Sequence, residues 1–160
     1  MTRPALSPIA SALGRMPTGL YIVTTTRNGA PVGFLGSFAV QVGFEPPTVC
    51  VAVGKDRPHL ADIESSGHFA LSIVDKARQS LMSAFLRKLT PGTTPFDGLS
   101  VGTASTGSPY LLDALAWVGC RFTGRHDAGD HAVLFGEVVE AQLHREGEPL
   151  VHVRRNGLSY

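Results

Sequence analysis

The chain has 160 residues, with 14 Lys and Arg against 13 Asp and Glu, so its formal net charge is +1. This length predicts one domain over residues 1–160, and the near-neutral balance without a basic cluster argues against nucleic-acid binding. No apolar run approaches the ~20 residues that span a bilayer and no secretion signal opens the chain, so we expect a cytoplasmic protein without membrane contact. Charged residues are only 17% of the chain, which favours a homodimer that covers part of the surface.

The first third of the chain carries patterns for a short helix and a hairpin. Ser7 can cap a helix that begins at Pro8. The residues 18–26 are rich in the β-branched and aromatic types that favour strands. Asn28-Gly29 follows, and both residues tolerate the positive φ of a tight turn. The sequence therefore predicts a strand, a turn and a return strand over 32–41.

The middle of the chain alternates strand and helix patterns. Strands are predicted over 48–53 and 69–74, and Pro58 begins a helix that Gly67 ends. Apolar residues at helical spacing occupy 76–89, and the Gly-, Thr-, Ser- and Pro-rich residues 90–109 predict a long loop.

Two longer strands are predicted near the end, over 114–122 and 131–143, with a last short strand near 150–154. The connections are of the hairpin type and do not alternate regularly as strand, helix, strand. This favours an antiparallel barrel or a highly curved sheet with helices around it. A doubly wound parallel sheet is disfavoured, and no GxGxxG or GxxxxGK[ST] motif is present.

The residue types that carry hydrolytic or metal chemistry do not form a pattern. The six histidines lack the spacing of metal ligands, and no serine lies in a GxSxG turn. Cys50 and Cys120 lie in apolar runs, where buried free thiols are common, although one disulfide stays open as an alternative. If the chain is an enzyme, a borrowed cofactor is the natural source of reactivity.

Two neighbouring segments suit a phosphorylated planar cofactor. In residues 33–38, small residues within a strand allow a flat ring to approach the backbone, although a tight bend in a barrel wall explains them equally. In residues 54–58 two cations stand between a strand and a helix, which is typical of an anion site, although they can also be solvated turn residues. Only one strand separates the segments, so the return of the chain can bring them together.

The order and spacing of many short pieces resemble the flavin-reductase-like family, whose members adopt an antiparallel FMN-binding split β-barrel of Greek-key type and commonly form homodimers. The match runs over nearly the whole chain. Its pieces are Pro17-Thr18-Gly19, Asn28-Gly29, Val32-Gly33, Pro46-Pro47, Lys55 with Arg57, Ser66-Gly67 with Phe69, Phe85, Phe96, Gly107-Ser108-Pro109, Ala116 with Cys120, Gly129-Asp130-His131 and Gly136-Glu137-Val138. Within the family, the reductase domain of flavodiiron proteins is most similar in Leu86-Arg87-Lys88-Leu89 with Pro91-Gly92, and in Gly107-Ser108-Pro109 with Asp113-Ala114-Leu115-Ala116.

The resemblance implies a site for each part of a flavin. The residues along the ring would be Phe34, Leu35, Gly36, Ser37 and Phe38, and those at the ribityl chain and phosphate Ala52, Val53, Gly54, Lys55 and Arg57. Phe85 would approach the flavin, either within the chain or across a dimer interface. His131 would lie on the nicotinamide side as the candidate catalytic residue, with a structural loop histidine as the alternative.

One departure from the family concerns the ring segment. Many members have Thr-Ala-Ser-Ser where this chain has Phe34-Leu35-Gly36-Ser37, so two hydroxyls are missing. Backbone amides can still bond the ring. The bulkier Phe34 and Leu35 could instead narrow the pocket, and the choice between FMN and FAD stays open.

The resemblance implies an NAD(P)H:flavin oxidoreductase that uses FMN, with FAD as the alternative, and takes hydride from NADH or NADPH. Reduced flavin or its electrons would pass to a partner oxygenase or another acceptor. A second hypothesis is an FMN-binding electron-transfer protein without nicotinamide activity. A third is a split-barrel dimer that no longer binds flavin.

Overall fold

The structure is a computed structural model that describes residues 5–160. Its strands are β1 Thr18–Gly19, β2 Tyr21–Arg27, β3 Ala30–Gly36, β4 Ala39–Phe44, β5 Pro47–Gly54, β6 His68–Ile73, β7 Val101–Thr103, β8 Pro109–Leu111, β9 Ala116–Ala128, β10 His131–Leu143 and β11 Val151–His152. Its helices are α1 Pro8–Leu13, α2 His59–Ser66 and α3 Ser83–Leu86, with a 3-10 helix over Lys76–Met82 directly before α3.

Seven strands form one antiparallel sheet in the order β3-β2-β6-β9-β10-β5-β4. β3 and β4 are consecutive in the chain yet lie at the two opposite edges, joined only by Ser37 and Phe38. A two-residue connection spans at most about 11 Å, so the sheet must curl until its edges approach each other there. The expected antiparallel, mainly β architecture is confirmed, with the barrel split between β3 and β4.

The predicted return strand over 32–41 is wrong as a single strand. The chain leaves β3 after Gly36 and enters β4 at Ala39. At the break, the carbonyl of Phe38 accepts a hydrogen bond from the Ala52 amide at 2.8 Å. Strand propensity alone does not show that β3 pairs with β2 whereas β4 pairs with β5, because the residues of β3 and β4 are equally suited to a sheet.

The predicted turns and helix ends are confirmed by their backbone angles. Asn28 and Gly29 have φ of 51° and 78° between β2 and β3, and Gly129 has φ of 63° between β9 and β10. Gly67 ends α2 with φ of 76°. Ser7 caps α1, and its side chain accepts a hydrogen bond from the Ala10 amide.

The residues 76–89 do not form a regular helix. Arg78 has non-helical angles (φ −129°, ψ 49°), and α3 has only four residues. Leu81 is buried, but Leu86 and Leu89 are 68% and 44% exposed, so much of the apolar pattern has no core to pack against. The predicted loop over 90–109 contains β7 and leads into β8, which together form a short hairpin.

Two apolar clusters stabilise the fold. The first lies inside the curled sheet and contains Phe69, Cys120 and Leu134, with Leu60 and Ile63 of α2 packed into it. The second lies at the other end, where Ile22, Val74, Leu81, Phe96 and Leu111 meet beneath the 3-10 helix.

A charged pair ties α2 to the barrel. The guanidinium of Arg27, at the end of β2, donates to both carboxylate oxygens of Asp62 at 2.9 and 2.7 Å. Asp62 is buried, so this bidentate pair satisfies a carboxylate that would otherwise be costly to bury.

Three further features were considered from the sequence: a disulfide, a metal site and a membrane-spanning helix. Neither cysteine forms a disulfide, and burial raises the pKa of Cys120 to about 12. Over residues 5–160 no cluster of three or more His, Cys, Asp or Glu is arranged to hold a metal ion. In the same part of the chain, none of the helices has both the length and the apolar character needed to cross a bilayer.

Candidate functional site

A cavity of about 540 Å³ opens where the barrel is split. The end of β3, the Ser37–Phe38 connection and the end of β5 line it, together with the 3-10 helix and α3. Its lining residues are Leu20, Gly33, Phe34, Leu35, Gly36, Ser37, Phe38, Ala52, Val53, Gly54, Arg57, His59, Met82, Phe85, Leu86, His152, Arg154 and Tyr160. Ten of the twelve site residues predicted from the sequence are among them, and Lys55 and His131 are not.

The two bulky residues of the ring segment do not fill this space. Phe34 is 8% exposed and packs into the first apolar cluster, whereas Leu35 packs against the second. Successive side chains of a strand point to opposite faces, so the two residues form different walls. The cavity of about 540 Å³ is therefore open beside Phe34 and Leu35.

The glycines of this segment have a packing reason of their own. A Cβ at Gly33 would lie 2.8 Å from the carbonyl oxygen of Val23, and one at Gly36 would lie 3.0 Å from the Val23 side chain. Their small size therefore keeps β3 close to β2, whether or not a ligand is bound.

The two predicted cations occupy different surroundings. Arg57 lines the cavity, with its guanidinium 5.7 Å from the Phe34 ring centre, and forms no ion pair with any residue of the described range 5–160. Lys55 lies outside the cavity, where its ammonium is 3.1 Å from a carboxylate oxygen of Asp127. Of these two predicted cations, Arg57 is therefore the one available to an anionic ligand in the cavity.

His131 lies beside the cavity and is held at both ring nitrogens. It pairs in register with Gly54 at the end of β5, and its ring centre is 5.6 Å from that of Phe38. Nδ1 is 2.8 Å from Asp130 Oδ1, and Nε2 is 2.9 Å from the Tyr160 hydroxyl.

The lining residues that the reasoning from sequence did not predict include three with polar side chains close to the predicted aromatic residues. Tyr160 and Arg154 come from the last residues of the chain, and the Arg154 guanidinium lies 4.6 Å from the Phe38 ring centre. His59, the first residue of α2, lies 4.9 Å from the Phe34 ring centre. His59 stands two residues after Arg57 at a predicted helix start, a spacing that could have placed it at the site. Nothing local points to Arg154 or Tyr160.

His59 and His68 make stability depend on pH. Burial lowers the pKa of His59 below its ordinary 6.5, with Asp62 opposing the shift and Arg27 and Arg57 adding to it. Burial also lowers the pKa of His68. Below about pH 6.5 these histidines bind protons in the unfolded chain but not yet in the folded chain. The free energy of unfolding should therefore fall as the pH drops from about 6.5 through the lower pKa values of the folded state.

Urea unfolding of ligand-free protein at about pH 7.5 and 5.5 measures this loss. His59→Gln removes one of the two groups and should lose less stability across that interval than the unchanged chain. An equal loss in both proteins would contradict the assignment to His59.

The cavity suits a flat, apolar ligand with an anionic end. Its walls are mainly aliphatic and aromatic, and no Asp or Glu is among its lining residues within 5–160. Arg57 and Arg154 supply guanidinium groups that form no ion pair in that range. Its volume lies within the ~300–1,000 Å³ typical of small-molecule sites. These residues fit a ligand with the chemistry of a flavin.

Comparison with known proteins agrees with this geometry. Residues 13–157 match the family described as Flavin reductase like domain. Among solved structures, nitrilotriacetate monooxygenase component B from Mycobacterium thermoresistibile has a TM-score of 0.82 and 32% identity, covering 90% of this chain and 80% of that one. The flavin reductase HpaC, solved with NADP+, has a TM-score of 0.79 and 25% identity, covering 91% of both chains.

Curated relatives are much longer proteins. Diflavin flavoprotein A 1 of Synechocystis is 36% identical over 156 residues, which are 96% of this chain and 27% of that protein. The chain thus spans about a quarter of the length of the curated relatives it matches. Because the family match extends over 13–157, nearly the whole sequence, the chain belongs to the flavin reductase like domain family.

Proposed function

We propose that the chain is an NAD(P)H:flavin oxidoreductase that binds FMN in the 540 Å³ cavity, with FAD as the alternative. The observation that carries the proposal is a mainly apolar cavity, lined by Arg57 without an ion pair within residues 5–160, in a chain of this family. When bound, the flavin supplies a ring that accepts hydride from a nicotinamide and passes the electrons on.

The chain's own residues position the ligands and exclude water. The segment from Phe34 to Phe38 forms the wall along the ring, and Arg57 neutralises the phosphate. Phe85 lines the cavity from within the same chain and makes an edge-to-face contact with Phe96, at 5.4 Å between ring centres. Hydride transfer depends on such positioning more than on an acid or a base.

His131 is proposed to act at the nicotinamide side of the ring. Asp130 holds its Nδ1, while Nε2 is bonded to the Tyr160 hydroxyl. Contact between Nε2 and a bound nicotinamide would require Tyr160 to release it. Lys55 can assist at the phosphate only by leaving Asp127, so Arg57 is the primary counter-charge.

The test is a flavin titration followed by an anaerobic assay. Quenching of FMN fluorescence reports binding, and absorbance at the nicotinamide band reports oxidation of NADH or NADPH. We expect oxidation faster than in a control with free FMN and no protein. Failure to bind either flavin would remove the proposed function altogether.

A second candidate is a flavin-binding electron-transfer protein without nicotinamide activity. The length of the curated relatives favours it, because the chain covers only about a quarter of them. In a protein of that length, electrons could reach the flavin from another part of the same protein. Bound FMN with no nicotinamide oxidation above the control would select it.

For the first candidate, we propose a partner oxygenase as the acceptor of the reduced flavin. A monooxygenase component is among the similar structures, which supports this proposal.

We also propose a homodimer, supported by the exposed edge of the sheet. β4 is an edge strand on which Val40, Val42 and Phe44 are 59%, 50% and 88% exposed. Edge strands with exposed apolar side chains tend to be covered by another chain. Sedimentation velocity should give a dimer, and Phe44→Glu should shift it toward monomer. A monomeric unmodified chain would contradict the proposal.

A further inference from the structure

The side chain of Tyr160 lies at the proposed flavin cavity. Tyr160 is among the lining residues, and its ring centre is 5.8 Å from that of Phe38 and 6.0 Å from the Arg57 guanidinium. Its hydroxyl is 2.9 Å from Nε2 of His131. One side chain therefore lies beside a wall residue of the cavity, the proposed counter-charge of the phosphate and the histidine proposed for the nicotinamide side.

Tyr160 covers the cavity from outside and does not fill it. The residue is 76% exposed, so much of it meets solvent, while its hydroxyl reaches His131, whose side chain is only 18% exposed. A cover of this kind can move away without opening the apolar core. Its displacement costs one hydrogen bond and part of an aromatic contact, which a bound ligand can offset.

The segment that carries Tyr160 is anchored at one end. The Gly157 amide donates to a carbonyl of α1 at 2.8 Å. Within the described range 5–160, the backbone groups of residues 158–160 form no hydrogen bond with another backbone group. The Leu158 amide instead donates to the side-chain oxygen of Asn156 at 3.0 Å. Because this bond lies within the segment itself, residues 158–160 can swing about Gly157 and keep their turn.

We propose that Tyr160 is a gate, a side chain that closes the cavity in the ligand-free protein, and that a nicotinamide displaces it to reach His131. A ring nitrogen of histidine offers a single hydrogen-bonding position, so the Tyr160 hydroxyl and a nicotinamide compete for Nε2. The apparent affinity of the ligand is then reduced by the fraction of molecules in which the gate is open. The inference rests on the proposed function, which assigns His131 to the nicotinamide side.

The first experiment measures nicotinamide oxidation by the FMN-loaded protein. Tyr160→Ala removes the competing side chain, so KM for NADH or NADPH should fall about five- to tenfold, with the change in KM and not in kcat. Tyr160→Phe keeps the ring and removes only the hydroxyl, so KM should fall about two- to threefold. Leu158→Ala is the matched control, because Leu158 belongs to the same segment, is 64% exposed and is not among the lining residues within 5–160.

Two results of this experiment would overturn the inference. A higher KM in Tyr160→Ala would show that the side chain binds the nicotinamide and does not compete with it. An unchanged KM in Tyr160→Ala, or an equal fall in Leu158→Ala, would show that the Tyr160 side chain does not control access to the cavity.

The second experiment observes the gate without any reaction. The chain has three tyrosines, so labelling with fluorotyrosine gives three fluorine NMR signals, and Tyr160→Phe identifies the signal of Tyr160. Addition of NAD+, which has no hydride to donate, to the FMN-loaded protein should move this signal toward the value of a solvent-exposed tyrosine. The signals of Tyr21 and Tyr110 should stay in place. In the ligand-free protein, His131→Gln should move the Tyr160 signal in the same direction.

This experiment separates the inference from the proposed function. A Tyr160 signal that NAD+ does not move, in a protein that oxidises NADH or NADPH, would overturn the inference and retain the function. A Tyr160 signal already at the exposed value in the ligand-free chain would overturn the inference in every case. If neither flavin nor nicotinamide binds but His131→Gln exposes Tyr160, the closed gate is retained, and the proposed function is removed together with nicotinamide as the displacing ligand.

Discussion

Replacing Arg57 with alanine should weaken FMN binding by about ten- to a hundredfold, as expected for one charge-assisted contact worth roughly 1.5–3 kcal/mol. Arg57 lines the proposed flavin cavity, and none of the ion pairs formed within 5–160 includes it. Its loss therefore leaves no buried carboxylate unpaired, and the fold should be retained. Quenching of flavin fluorescence measures the dissociation constant.

Riboflavin separates the phosphate contact from the rest of the site. It has the ring and ribityl chain but no phosphate, so Arg57→Ala should weaken FMN binding much more than riboflavin binding. The control Arg121→Ala removes an exposed guanidinium from β9 and should change neither. Equal losses for FMN and riboflavin would show that Arg57 acts on the shape of the cavity, and unchanged FMN affinity would remove it from the site.

Substituting Gly136 with alanine should destabilise the barrel by about 1–3 kcal/mol, the usual cost of adding a methyl group to a filled core. Gly136 lies on β10 opposite Phe122 of β9. A Cβ there would lie 2.5 Å from the Phe69 ring and 2.8 Å from Cβ of Cys120. Both neighbours are fully buried, so neither can move into solvent. Urea unfolding monitored by circular dichroism measures the change.

A second substitution identifies the contact responsible. Phe69→Leu removes the ring atoms nearest the new methyl group, so the double variant should be more stable than the sum of the single effects predicts, by about 0.5–3 kcal/mol. Gly124→Ala is the control on the paired strand, because nothing lies within 4 Å of its Cβ. Additive effects of the two core substitutions would contradict the proposed clash.

Local chemistry predicted most elements of the barrel. Asn28-Gly29 and Gly129 adopt the positive φ that their turns require, and Gly67 ends α2 in the left-handed region. The residues 76–89 show where this reasoning fails. Their apolar spacing is helical, but Arg78 breaks the helix and Leu86 is exposed, since the core accommodates only part of the pattern.

Part of the candidate site was likewise predicted from the sequence, and part of it was not. The β3 and β5 segments could be paired from sequence, because only β4 separates them and small residues and cations mark them. Lys55 looked equivalent to Arg57 by residue type and position. Only the pairing of β10 with both β9 and β5 brings Asp127 to Lys55. Arg57 has no ion-pair partner within residues 5–160. The ion-pair partner of a charged side chain on one strand cannot be identified until the pairing of that strand with its neighbours is known.

The sequence by itself determined the turns, the alternation of strand and helix, and the two segments suited to a ring and a phosphate, because each depends on neighbours a few residues away. Tertiary structure decided the separation of β3 and β4 to opposite edges of the sheet. It also brought Arg154 and Tyr160 to a cavity built about a hundred residues earlier. The first outcome depends on the pairing order of all seven strands, and the second on the pairing of β11 with β1 near the other end of the chain. Both are contacts between distant segments, which no local pattern encodes.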